Sequence, residues 1–94
     1  MTMLTDATRP VLAAKAELRL DPITKEPILL YPEGMLHLNP TANAILSLCD
    51  GSHRFADILN LLAQKYDATA ETLRPDVVDC LEAFLKRQLV LLAP

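Results

Sequence analysis

The stretch YPEGMLHLNPTANAILSLCDG, Tyr31 to Gly51, decides the fold. Pro32-Glu33-Gly34 is a turn signal, with Pro fixing φ and Gly free to take positive values. Apolar runs flank it, Ile28 to Tyr31 before and Met35 to Leu38 after. Asn39 then reads as a helix N-cap, and Pro40 takes the first helical position, where its missing N–H costs nothing. Ala42, Ile45, Leu46 and Cys49 recur at i, i+3, i+4 and i+7, one buried stripe. Gly51 is expected to supply the left-handed residue that stops this helix. Met35-Leu36-His37-Leu38 is too short and too apolar to stand alone, and something must pair with its second edge.

Upstream, Ala14, Ala16, Leu18 and Leu20 alternate with Lys15, Glu17, Arg19 and Asp21, the period of a strand with one face buried. DPITKEP is a loop bracketed by Pro22 and Pro27. Ile28 to Tyr31 is continuously apolar, as expected of a central strand covered on both faces. The first half is therefore a three-stranded antiparallel meander. Residues 1–10 read as a flexible N-terminal segment, and residues 11–94 as a single domain.

Downstream, a second helix is expected from Phe55 to Tyr66, with Phe55, Ile58, Leu59, Leu62 and Tyr66 inward and Asp57 in its first turn, where the helix dipole favours a carboxylate. A third is capped by Thr69 or Thr72, kinked or restarted at Pro75 and continued to about Gln88. Its apolar stripe has Cys80 and Phe84 at one margin and Val78 and Leu85 at the other, with Val77, Leu81 and Gln88 between. The stripe spans roughly 160°, broader than the ~100° a surface helix needs. Either the helix is central to a small core, or one margin lines a groove. Leu89 to Leu92 is an apolar tail that must fold back onto something.

Ninety-four residues, 51% of them hydrophobic, without Trp, make one aliphatic core. No run approaches the roughly 18 apolar residues of a membrane span, and MTMLTDATRP lacks the basic start and apolar stretch of a signal peptide. The cytoplasm is the expected location, with no membrane partner. A net charge of −3 with interspersed signs argues against nucleic-acid binding. Cys49 and Cys80 read as small buried thiols. His37 and His53 have no companions at the spacing of a catalytic triad or a metal site, and two glycines cannot make a phosphate loop. Asp76, Asp79 and Glu82 read as a solvated helix face. The chain is expected to be no enzyme, with no cofactor and no metal.

Three helices with a small sheet suggest a winged helix-turn-helix-like α+β fold, shared with many DNA binders. The third helix, however, opens on acids where a recognition helix needs Arg, Lys, Asn or Gln, and the sheet precedes the helices. The strand edges point elsewhere. The first strand is blunted by Lys15, Glu17 and Arg19, whereas Met35 to Leu38 has no formal charge apart from a protonatable His37 and no internal Pro. It is a candidate for strand addition by an incoming peptide, unless the Leu89–Leu92 tail or a second copy, forming a homodimer, covers it.

Several short segments, in this order, carry a resemblance: Arg9-Pro10-Val11-Leu12, Arg19-Leu20-Asp21-Pro22, Leu29-Leu30-Tyr31-Pro32-Glu33-Gly34, Leu38-Asn39-Pro40-Thr41-Ala42, Leu48-Cys49-Asp50-Gly51, Phe55-Ala56-Asp57-Ile58, and Asp76-Val77 with Leu81 and Leu85. Across about residues 9–92 the chain resembles the PqqD family of pyrroloquinoline quinone (PQQ) biosynthesis. The resemblance implies a peptide-recognition domain of three N-terminal strands and three helices. It implies two partners, the leader of a ribosomally made precursor peptide and the radical S-adenosylmethionine enzyme to which that leader is presented. In related recognition domains the leader adds as a strand against the third strand, beside the third helix. Carried over, that puts Met35, Leu36, His37 and Leu38 on the strand side and Val77, Cys80, Leu81 and Phe84 on the helix side. A recognition domain of another ribosomal-peptide modification pathway would carry nearly the same features. Departures from the family pattern are Pro75, Gln88 where Gly is frequent, and Arg54 where Ser or Thr caps the second helix.

Overall fold

The computed structural model describes residues 4–93. The elements are β1 (Arg9–Leu12), β2 (Glu17–Leu20), β3 (Pro27–Tyr31), β4 (Gly34–His37), α1 (Pro40–Ser47), α2 (Phe55–Tyr66), α3 (Ala70–Lys86) and β5 (Val90–Ala93). β2, β3 and β4 form the expected antiparallel meander, and β1 pairs with β5 in a second antiparallel sheet. All three helices share one core with both sheets, from Leu29 and Leu38 through Ile45, Phe55, Ile58 and Leu81 to Val90.

The apolar tail has a definite destination. β5 lies on β1 with Val11 opposite Leu91 and Leu12 opposite Val90, and the Ala13 N–H donates to Leu89 O at 2.9 Å. The other edge of β1 is also used. Leu12 N–H donates to Cys49 O, and Gly51 N–H to Pro10 O. β1 is thus the middle of a three-segment layer, which two-residue spacing arguments could not reveal because its partners lie about 40 and 80 positions away.

The segment expected as a flexible leader is placed differently from Leu4 onward; residues 1–3 lie outside the described residues. Leu4 is buried in the core. Thr8 O accepts from Phe55 N–H at 2.7 Å, and Asp6 O from Ala56 N–H at 3.2 Å. Those N–H groups open α2 and have no partner within the helix. Arg54, the N-cap residue, has no side-chain oxygen to offer them. The chain upstream supplies the acceptors instead, while the Asp57 carboxylate accepts from Arg54 N–H at 3.0 Å. Arg74 of α3 closes the arrangement, paired with Asp6 at 2.7 Å and lying 5.3 Å over the Phe55 ring.

Other local expectations are corrected. β2 starts at Glu17, because residues 13–16 form a turn closed by Ala16 N–H to Ala13 O. Ala14 and Leu20 consequently fall outside the core, Leu20 being 62% exposed. α1 ends at Ser47 with Leu48 as its C-cap, so Gly51 does not stop it. Gly51, at φ +82°, turns the following loop against Val11. Tyr66 is exposed at the end of α2 rather than inward. α3 runs unbroken through Pro75. Only one N–H is lost there, the one that would reach Glu71 O, and both residues face solvent. The Thr69 hydroxyl caps the start, accepting from Thr72 N–H.

The end of α3 replaces the missing glycine with strain. Gln88 sits at φ +59°, its N–H donates to Leu85 O, and Leu89 N–H reaches back to Phe84 O. These are the two bonds of a Schellman stop, whose left-handed residue is usually Gly. Gln88→Gly should therefore stabilise the protein by about 1 kcal/mol, seen as a higher urea midpoint at unchanged slope. Leu4→Ala should lower stability by about 2–3 kcal/mol; a freely moving leader would leave the midpoint where it is.

Candidate functional site

The geometry of the β4 edge follows from one hydrogen bond. Leu38 N–H donates to Pro27 O at 3.0 Å, and the register pairs Leu29 with Leu36 and Leu30 with Met35. In an antiparallel ladder, hydrogen-bonded and non-bonded pairs alternate. Leu38, Leu36 and Gly34 therefore turn their backbone groups toward β3, and Met35 and His37 turn theirs away. The other side of β3 agrees: Asp21 N–H donates to Glu26 O, which puts the Ile28 and Leu30 backbone groups toward β2 in its register.

Side chains alternate in step. Leu36 and Leu38 point to the helices, Leu36 partly buried against the core and Leu38 buried in it. Met35 is 48% exposed, and His37 is exposed as well. Met35 and His37 thus present outward N–H and C=O groups for which no described residue is a hydrogen-bond partner. Neither β2, on the far side of β3, nor β5, committed to β1, reaches this edge. Directly beyond it, Asn39 caps α1 by accepting from Ala42 N–H at 2.7 Å, which stops the strand and fixes its length.

The helix-side residues divide. Val77 and Leu81 are fully enclosed at 2% and 0% exposure, and Phe84 is buried at the rim with 9%. Cys80 is only partly buried. Val77, Leu81 and Phe84 belong to the same core as Leu29 and Leu38, so α3 is central to the domain. The partly covered residues on its Cys80 margin are Cys80 itself and, two turns earlier, Leu73. About two turns beyond Cys80 along that margin, Arg87 lies 5.5 Å over the Tyr31 ring and donates to its hydroxyl at 3.0 Å, tying the end of α3 to the end of β3.

Burial pushes the Cys49 thiol up to about 12, with Cys80 and Asp50 nearby adding to the effect. Cys80 is raised by burial too. Both cysteines are free. In the loop before α2, one Asp50 oxygen accepts from Ser52 N–H and Ser52 Oγ and faces His53 Nδ1 at 3.0 Å. The Ser52 contacts chiefly hold the Asp50 carboxyl well below its usual range. Serine and histidine share one carboxylate oxygen rather than bonding each other, so the hydroxyl has no base beside it and the cluster orders the loop. Among the described residues no group of His, Cys, Asp and Glu could hold a metal ion, and no helix is long and apolar enough to cross a membrane.

The family model for coenzyme PQQ synthesis protein D (PqqD) matches residues 26–90, from β3 to the first residue of β5. The chain belongs to the PqqD family. A PqqA binding protein of Methylococcus capsulatus is 52% identical over 58 residues, 62% of this chain and 60% of that protein. One from Rhodopseudomonas palustris strain BisB5 is 37% identical over 79 residues, 84% of this chain and 78% of its relative. Among solved structures, the PqqD truncation of Methylobacterium extorquens PqqCD superposes with a TM-score of 0.74 at 29% identity, over 87% of each chain. That solution structure represents a functional, stand-alone recognition element for ribosomally synthesised and post-translationally modified peptides. The winged helix-turn-helix-like α+β fold expected from the sequence is the fold of this family.

Three outcomes follow for the site. Leu36→Pro deletes the N–H that bonds β3 and leaves the Leu29 carbonyl unpaired, which should cost about 1–3 kcal/mol of stability. His37→Pro deletes an outward N–H, the position where an edge strand tolerates Pro, and should unfold within about 0.5 kcal/mol of the parent in urea. In alkylation with iodoacetamide at pH 8, Cys80 should react before Cys49, because thiolate fraction and access both favour it; mass mapping of the labelled peptides reads the order.

Proposed function

We propose that this protein binds the leader of a ribosomally made precursor peptide as an added strand on β4 and presents it to a radical S-adenosylmethionine enzyme of PQQ biosynthesis. The observation that carries the reading is the free outer edge of β4. Two consecutive outward residues, Met35 and His37, offer backbone donors and acceptors in ladder spacing. Peptide recognition by strand addition needs that and little more from the receptor backbone. The relatives named PqqA binding proteins and the recognition element of similar fold support the same role and name the class of ligand.

In this reading the protein is a non-catalytic, cytoplasmic peptide chaperone without a cofactor. Met35, Leu36, His37 and Leu38 form the receiving strand. Cys80 and the rim of Phe84 meet the peptide from α3, and Val77 and Leu81 are the packed floor beneath. The chemistry on the peptide belongs to the partner enzyme. A second copy of this chain is the competing occupant of the same edge, so any homodimer formed through β4 dissociates when peptide binds.

The test is a titration of isotope-labelled protein with synthetic PqqA of Methylococcus capsulatus, the organism of the 52%-identical relative. The largest backbone amide changes should fall on residues 34–38 and around Cys80, and bound peptide should protect Cys80 from alkylation. Changes confined to α2 or to β5, with residues 34–38 unmoved, would refute strand addition at β4.

A further inference from the structure

At the turn end of the meander, on the helix side, lies a cavity of about 480 Å³ lined by Lys15, Tyr31, Glu33, Arg87 and Leu89. That volume falls in the range of ordinary ligand pockets. Four parts of the chain meet there: the turn before β2, the end of β3, the β3–β4 turn and the exit of α3. The local sequence gives no hint of it, since Lys15 and Arg87 are 72 positions apart.

Arg87 differs from three of the other four arginines by what it lacks; Arg9, on β1, likewise has no carboxylate partner among the described residues. Arg19, Arg54 and Arg74 each pair with a carboxylate. Arg87 is instead positioned by a neutral group, the Tyr31 hydroxyl at 3.0 Å, with its guanidinium held over the Tyr31 ring. One of its five N–H donors is used there. No described carboxylate is its ion-pair partner, and the same holds for Lys15. A planar, pre-oriented guanidinium with free donors, on a cavity wall beside an ammonium, suits a bidentate carboxylate. Glu33 also lines the cavity, without an ion pair of its own, so the site carries two cations against one anion and accepts one more negative group to reach balance.

The pocket is lined by no residue of β4 itself, but it borders the turn that leads into the strand-addition edge. Tyr31 pairs with Gly34, the first residue of β4, and Glu33 is the residue before it. A peptide lying along β4 and running past Gly34 arrives at this wall. The geometry points to a carboxylate pocket: the Arg87–Lys15 cavity receives an acidic side chain of the bound peptide, fixing its register along an edge whose backbone bonds alone are indifferent to sequence. This rests on the strand-addition reading.

The experiment is a double-mutant cycle read by binding affinity. Synthetic PqqA of Methylococcus capsulatus is prepared with each acidic residue changed in turn to its amide, and titrated into the parent protein, Arg87→Gln, Arg87→Lys and Tyr31→Phe. Arg87→Gln should weaken the unmodified peptide about tenfold, with Arg87→Lys intermediate and Tyr31→Phe milder, since it loosens the guanidinium without removing it. One amide peptide should lose the same factor against the parent and nothing further against Arg87→Gln. Tyr31→Phe and Arg87→Lys keep the test valid if Arg87→Gln is unstable. If every amide peptide shows the same ratio between parent and variants, the pocket takes no peptide carboxylate and the inference is overturned. Amide changes at residues 34–38 report separately on strand addition, so loss of the pocket and loss of the edge are distinguishable.

Discussion

The arrangement depends on where the C-terminal tail goes. Val90 to Ala93 is short, apolar and needs a strand partner, and two edges compete for it, that of β1 and that of β4. It takes β1. The choice is enforced by the Schellman stop at Gln88 and Leu89, which fixes the direction in which the chain leaves α3, and by the burial of Val90 and Leu89 against the core. With the tail spent on β1, nothing among the described residues covers β4. A tail folded the other way would have covered β4 and left it no free edge.

The same layer explains the upstream segment. β1 is pinned between β5 and residues 49–51, and the residues before it therefore pass over the start of α2. There they provide the acceptors that Arg54 cannot. Two departures from the family pattern, the absent N-cap at residue 54 and the absent glycine at residue 88, are thus handled by different means. One is compensated by carbonyls from residues 6 and 8; the other is left as backbone strain at φ +59°. Neither touches the β4 edge.

What the sequence made legible was local. The meander, the Asn39 cap, the inward faces of α1 and α2 and the shortness of β4 follow from periodicity and turn chemistry within windows of a dozen residues. The second sheet was invisible because its pairing joins the two ends of the chain. Gly51 misled for a related reason: its positive φ serves a contact with Val11, not the helix before it. For the site, the exposed edge could be named from the lack of charge in Met35 to Leu38, but the direction of each N–H could not. That direction rests on the Leu38–Pro27 bond, a property of register. The wide stripe of α3 was ambiguous between core and groove, and burial of Val77 and Leu81 resolves most of it as core.

Edge geometry also bounds what the backbone can contribute to binding. Met35 and His37 each offer one N–H and one C=O outward, so a strand added there gains about four hydrogen bonds. At roughly 1 kcal/mol net each, that is about 4 kcal/mol, at the bottom of the ~4–15 kcal/mol that association costs. Backbone pairing on so short an edge can orient a peptide but cannot by itself hold one, and it cannot tell one sequence from another. Affinity and selectivity must come from side chains at the margins of the strand. In the proposed complex those margins are the half-exposed Met35, the partly buried Cys80 beside Phe84, and the guanidinium of Arg87. The shortness that leaves β4 poor at recruiting arbitrary strands is therefore the same feature that would make any strand added there depend on its sequence.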